Sequence, residues 1–215
     1  MIALLRYAFL KNLRDGSLAA FILGPIIMLT APLLGAAVFD DGPSYPMRMD
    51  THISAARNAA MMAPATVFIA ALFAALAGFW SFRGEIVSKS MGSFVLAVKP
   101  LKIQLAAVLF GGGAAFAGYL GTALSLSALM NALPPNPGRL FLDAAILCLF
   151  GAAGGSLAVI LSSEPWAIIP MFVCGALIVP SLAGMRAPLP ELIVVALTLI
   201  FTTISAFFLE RRCVI

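Results

Sequence analysis

Long apolar stretches follow one another along nearly the whole chain, and they restrict its possible folds more than any other feature does. Of the 215 residues, 62% are hydrophobic and 10% are charged, whereas soluble domains usually carry about 25% charged residues. A chain this short cannot bury so much apolar surface inside a water-facing protein. A bilayer removes the difficulty, because lipid solvates apolar side chains on the outside of the molecule. The excess extends along the entire length, so one signal segment does not account for it.

Six stretches are long enough to cross a bilayer, which takes about 20 mostly apolar residues in a helix. The stretches do not alternate with the period of two that barrel strands show, and this favours helices. We therefore predict an all-α polytopic membrane protein, with a single transmembrane domain over residues 1–215. A short polar turn at 162–165 separates the fourth span from the fifth. The six predicted spans are 17–39, 58–82, 103–130, 140–161, 166–183 and 189–209.

Lysine and arginine predict the orientation, because these residues are enriched in cytoplasmic segments. With the N-terminus inside, nine of the 13 basic residues fall on the inner side and four on the outer side. This predicts that both termini are cytoplasmic and that the chain lies in the cell's inner membrane. We therefore interpret the net charge of +4 as a determinant of membrane orientation, and we expect no nucleic-acid partner. The inner nine are Arg6, Lys11, Arg14, Arg83, Lys89, Lys99, Lys102, Arg211 and Arg212, and the outer four are Arg48, Arg57, Arg139 and Arg186.

The first 15 residues, MIALLRYAFLKNLRD, combine an apolar face with cations set apart from it. Arg6, Lys11 and Arg14 are those cations. The pattern predicts an amphipathic helix lying flat at the cytoplasmic headgroups. The alternative is a plain charged flank that only sets topology.

Small residues recur at every fourth position in two predicted spans. The third span has Gly113, Ala117 and Gly121 on one helix face, and the fourth has Gly151 and Gly155. Such faces let helix backbones approach closely in lipid. We predict that these five residues take part in helix packing, within a tight bundle or a dimer, and they indicate no particular chemistry.

Residues that carry enzyme chemistry are sparse. The chain has no GxxxxGK[ST] run for nucleotide binding, no HExxH run and a single histidine, His52. We therefore predict no catalytic residue, no cofactor site and no metal site on this chain. Asp143, four residues after Arg139, is predicted to form an ion pair with that arginine. The alternative is a buried functional acid.

The order of features along the chain provides the strongest functional hint. The amphipathic segment ends in Lys11, Arg14 and Asp15, and the first span has Pro25 near its start. A polar cytoplasmic link at 83–100 follows the second span, and four further spans and a basic tail complete the order. That link holds Glu85, then the pair Gly92 and Ser93, then Pro100. The whole layout resembles the type-2 ABC transporter permeases, the exporter-type membrane subunits that pair with a separate ATPase.

The resemblance implies a division of labour between subunits. Residues 1–15 would be the connecting helix, and the link would contain the coupling helix that docks on a P-loop ATPase. That partner would bind ATP and Mg²⁺, so this chain would have no ATPase activity of its own. A second permease subunit, identical or different, would complete the path. The coupling residues would be Glu85, Ser88, Lys89, Gly92, Ser93 and Phe94.

Few polar residues lie inside the spans, which favours a hydrophobic or amphipathic cargo. Two other classes stay open at this stage. A membrane scaffold or assembly subunit would use the same small-residue faces for fixed packing. A membrane enzyme or ion-coupled carrier would need paired histidines or acids inside the spans, and the sequence offers no such pairs.

Overall fold

A computed structural model of the chain describes residues 5–7, 9–10, 67–80, 83, 98–130, 137–161 and 188–214. Within these ranges every regular element is an α-helix, which confirms the predicted all-helical class. We number the four long helices in chain order. They are α1 (Val67–Trp80), α2 (Pro100–Met130), α3 (Pro137–Leu161) and α4 (Leu189–Val214).

Helices α2, α3 and α4 are long and apolar enough to cross a membrane. Their 25 to 31 residues correspond to about 37–46 Å at 1.5 Å per residue, which exceeds the hydrocarbon thickness of about 30 Å. These helices coincide with the third, fourth and sixth predicted spans, and α1 covers part of the second. The first and fifth predicted spans and the turn at 162–165 lie outside the described residues.

Prolines mark the beginning of two helices. Pro100 is the first residue of α2, and Pro137 is the first residue of α3. Proline lacks a backbone N–H, and at this position an N–H would have no hydrogen-bond partner within the helix. The carbonyl of Lys99 accepts hydrogen bonds from the N–H groups of Lys102 at 2.9 Å and Ile103 at 3.4 Å. The helix thus begins three residues before the predicted third span, because proline is well suited to a first helical turn.

The contacts between helices fix their relative directions. In α1, Ala71 lies against Gly151 of α3 and Ala75 against Gly155, in the same order along both helices. Helices α1 and α3 are therefore parallel. Helix α4 is also parallel to α3, because Arg139 near the start of α3 pairs with Glu191 near the start of α4.

Aromatic stacking further along the same two helices gives the same direction for α4. The rings of Phe150 and Phe201 stack with their centroids 5.5 Å apart. Helix α2 runs the opposite way, since Gly111 approaches Ala152 while Gly112 approaches Leu149. Three helices thus point in one direction and one points in the other.

Small side chains dominate the core where α1, α2 and α3 meet. Because alanine adds only one methyl group, it allows the helix axes to approach closely. Tyr119 and Phe79, both at most 2% exposed, are the largest of the fully buried side chains. The buried alanines of these helices include Ala70, Ala71, Ala74, Ala75, Ala77, Ala115, Ala144, Ala152 and Ala153.

Candidate functional site

The predicted coupling residues Glu85, Ser88, Lys89, Gly92, Ser93 and Phe94 lie outside the described residues, as do Lys11 and Arg14. Arg6 is described, and it is helical and exposed. Its neighbours Tyr7, Phe9 and Leu10 are also exposed, each by 45% or more. An exposed helical segment with both cationic and apolar side chains suits an interfacial helix, which stays a prediction.

The small residues of α3 lie directly against the backbone of α1. A Cβ atom added to Gly155 would overlap the carbonyl oxygen of Ala75, and one added to Gly151 would overlap that of Ala71. In the other direction, a Cβ on Gly78 would overlap the carbonyl oxygen of Ala152. The two helices therefore touch backbone to backbone, and no larger residue fits at these glycines without separating them.

Helix α2 completes this contact from the side. A Cβ on Gly111 would lie 3.3 Å from the backbone nitrogen of Gly78 and 3.4 Å from the Cβ of Ala152. A Cβ on Gly112 would lie 2.9 Å from a methyl carbon of Leu149 and 3.2 Å from the carbonyl oxygen of Cys148. Gly111 and Gly112 thus make the close approaches of α2.

The predicted small-residue face of the third span points elsewhere. Gly113, Ala117 and Gly121 are all exposed on α2. A Cβ added to Gly113 or Gly121 would meet nothing within 4 Å. The same helix therefore places its neighbouring glycines, Gly111 and Gly112, in the bundle and this face on the outside.

One buried amide was missed in the sequence. Gln104, in the first turn and a half of α2, is fully buried, and neither atom of its amide has a hydrogen-bond partner among the described residues. A buried polar group without a partner costs about 1–3 kcal/mol. The available signal was an amide between Ile103 and Leu105, inside an otherwise apolar stretch.

Most buried hydroxyl groups in the helices are satisfied locally. The hydroxyl of Thr122 donates to the carbonyl of Gly118 at 2.8 Å, and that of Thr202 donates to the carbonyl of Thr198 at 2.7 Å. Ser156 donates in the same way to Ala153 at 2.9 Å. Such bonds let a hydroxyl sit in an apolar interior without a partner on another helix.

An ion pair connects the starts of α3 and α4. A terminal nitrogen of Arg139 lies 3.4 Å from a carboxylate oxygen of Glu191, with the arginine side chain 57% exposed and the glutamate 17% exposed. Asp143 lies within electrostatic reach of both groups. The observed ion pair of Arg139 therefore joins it to Glu191 on a neighbouring helix, whereas the sequence predicted Asp143, four residues away.

The opposite end of the bundle is basic. Helices α1 and α4 end there and α2 begins there, so Arg83, Lys99, Lys102 and Arg211 all lie at this end of the bundle. Arg83 lies over the ring of Trp80, with its guanidinium carbon 4.9 Å from the ring centroid. Arg211 lies over Phe207 at 4.5 Å. Two cation–π contacts thus occur at this basic end.

Among the described residues, no group of three or more His, Cys, Asp or Glu side chains is placed to hold a metal ion. Comparison with protein-family models, with curated proteins and with solved structures finds no match to this chain.

Proposed function

We propose that this chain is the membrane-spanning permease subunit of an ATP-driven ABC exporter. It forms, with a second permease subunit, the path for a hydrophobic or amphipathic substrate. The observation that supports this proposal most directly is the order of features along the chain, from the amphipathic segment to the polar link at 83–100 and the basic tail. A P-loop ATPase partner supplies ATP and Mg²⁺ binding.

The helix directions support the six-span arrangement that this proposal needs. In a six-span chain the even-numbered spans all point one way, and α1, α3 and α4 correspond to the second, fourth and sixth spans. Helix α3 ends at Leu161, at the basic end, and α4 begins at Leu189, at the other end. The end of α3 and the start of α4 thus lie at opposite ends of the bundle, as a fifth span at 166–183 between them requires.

The basic end supports the proposed orientation. Cytoplasmic segments are enriched in lysine and arginine, and Arg83, Lys99, Lys102 and Arg211 lie at one end of the described bundle. Placing that end in the cytoplasm puts the link at 83–100 and the C-terminus on the inner side. With six spans the N-terminus is then cytoplasmic too, in the inner membrane of the cell.

A second candidate function is a non-transporting scaffold or assembly subunit of a larger complex. The observation that favours it is the backbone contact of α1 with α3 at Gly151 and Gly155, which leaves little room for the two helices to slide. An exporter would keep these helices together as one moving unit, whereas a scaffold would show no nucleotide-dependent movement at all. Distances between spin labels in the purified complex, with and without ATP, separate these two functions.

The coupling assignment is tested by reversing charge in the link. We expect the complex of the full chain with its ATPase to lose the partner, or to lose substrate-stimulated ATP hydrolysis, in the double variant Glu85→Lys, Lys89→Glu. The control is Arg48→Glu, a charge reversal in the predicted outer loop, which should change neither readout. An intact complex with unchanged stimulated hydrolysis in the link variant would refute the coupling role.

A further inference from the structure

Three cations at the ends of different helices lie at about the same level along the bundle axis. Residue positions along α3 provide a common reference for this comparison. Phe150 stacks on Phe201, so Arg211, ten residues beyond Phe201, is level with Ile160. The alignment depends only on the parallel course of α3 and α4, in which each residue adds about 1.5 Å.

Helices α1 and α2 reach the same level. In α1, Ala75 and Gly78 lie beside Gly155 and Ala152 of α3. Arg83 is helical and lies three residues beyond the end of α1, which places it at about the level of Ile160. Helix α2 runs the other way, and Gly111 lies against Ala152. Lys102, nine residues before Gly111, is therefore level with Leu161. We call Arg83, Lys102 and Arg211 the cation ring.

Apolar surface borders the cation ring on the side of the membrane interior. Trp80 and Phe207, the aromatic partners of the two arginines, are 45% and 51% exposed. Leu101 and Leu161, at the level of the ring, are 52% and 54% exposed. The cation–π contacts hold both guanidinium groups against these rings, at the boundary between exposed apolar surface and charge.

Little negative charge opposes the cation ring within the described part of the chain. Glu210, exposed next to Arg211, is the acid nearest to the ring among those residues. At the other end of the bundle Arg139 pairs with Glu191, and Asp143 lies within electrostatic reach of both groups. Among the described residues the two ends therefore differ in net charge, and an anion is attracted to the cation ring.

We propose that the cation ring binds the headgroups of anionic phospholipids. The phosphate of a bound lipid accepts hydrogen bonds from the ring cation beside it, which is the guanidinium group of Arg83, that of Arg211, or the ammonium group of Lys102. The acyl chains of a lipid at Arg83 lie along Trp80, and those of a lipid at Arg211 lie along Phe207. A lipid with a net negative charge binds more tightly than a zwitterionic one, because cationic side chains near the surface attract anionic lipid. This proposal does not depend on the exporter function.

Tryptophan fluorescence tests the proposal at Trp80. The full chain with Trp166→Phe, so that Trp80 is the remaining tryptophan, is reconstituted in bilayers that contain brominated phosphatidylglycerol or brominated phosphatidylcholine at equal mole fractions. We expect stronger quenching by the anionic lipid. Arg83→Gln and Lys102→Gln should each lower the preference for anionic lipid by about fivefold, whereas Arg83→Lys should keep it.

Lipid binding beside Arg211 is measured with a tryptophan introduced at position 207. The variant Trp80→Phe, Trp166→Phe, Phe207→Trp places the single tryptophan one turn before Arg211, and Arg211→Gln in this background should lower the preference. The matched control is Arg139→Gln, which removes a cation at the other end and should leave both preferences unchanged.

Three results would overturn the proposal. The first is equal quenching of tryptophan fluorescence by the two brominated lipids when Arg83, Lys102 and Arg211 are all unsubstituted. The second is an equal loss of preference in Arg139→Gln and in the ring variants. The third is complete loss of the preference on addition of inorganic phosphate, but not of chloride at the same ionic strength, which would assign the ring to free phosphate instead of lipid.

Discussion

Replacing Gly155 by alanine is the most direct test of the contact between α1 and α3. The added methyl group would overlap the backbone carbonyl oxygen of Ala75, which cannot turn away as a flexible side chain can. Overpacking a close-packed site costs about 1–3 kcal/mol, and a backbone obstacle belongs at the upper end of that range. Alanine also favours the helix over glycine by about 1 kcal/mol. We therefore expect Gly155→Ala to lower the free energy of unfolding by about 2 kcal/mol.

Gly113→Ala is the matched control on α2. It makes the same chemical change in a long apolar helix, but nothing lies within 4 Å of the added methyl group. Only the helix-propensity gain of about 1 kcal/mol remains. The difference between the two variants, about 3 kcal/mol, isolates the packing contribution because the propensity gain cancels.

The measurement is the unfolding of the purified full chain in mixed micelles, titrated with a denaturing detergent and followed by circular dichroism. Gly151→Ala should resemble Gly155→Ala, since it meets the carbonyl of Ala71. Gly111→Ala, whose methyl group would lie 3.3 Å from the nearest backbone atom, should fall between the extremes. The reasoning is refuted if Gly155→Ala is as stable as Gly113→Ala.

Two further predictions concern polar groups. Gln104→Met should raise the free energy of unfolding in the same micelles by about 1 kcal/mol or more. The reason is that it replaces an unpartnered buried amide by an apolar group of similar length. A loss of stability would show that the amide has a polar partner. A double-mutant cycle of Arg139→Gln and Glu191→Gln should give a coupling energy below about 1 kcal/mol, because the arginine is largely exposed. The same cycle with Asp143→Asn in place of the glutamate should give a smaller coupling, and a larger one would restore the ion pair predicted from sequence.

The helical class and three of the membrane spans could be predicted from the sequence alone. Lipid offers no hydrogen-bond partner to the backbone, so a long apolar segment must satisfy its N–H and C=O groups within itself. This requirement is local, and it needs no knowledge of any neighbouring helix. The start of α2 follows from an equally local feature, the proline at position 100.

Which side of each helix faces a neighbour was decided by the tertiary structure. The spacing of Gly113, Ala117 and Gly121 resembles that of Gly151 and Gly155, yet the first set is exposed and the second touches α1. Both sets form small-residue faces on apolar helices, and the spacing of the residues does not indicate where the neighbouring helix lies. The rotation of a helix about its axis depends on all its contacts together, so periodicity alone does not determine it.

The charged residues show the same division. The sequence alone determined how many cations the chain carries and which segments hold them. Only the tertiary structure decided that Arg139 pairs with Glu191, 52 residues further along the chain, and that Arg83, Lys102 and Arg211 lie at about the same level. The physical reason is that these relations depend on the direction and register of separate helices, which are set by close packing among residues far apart in sequence.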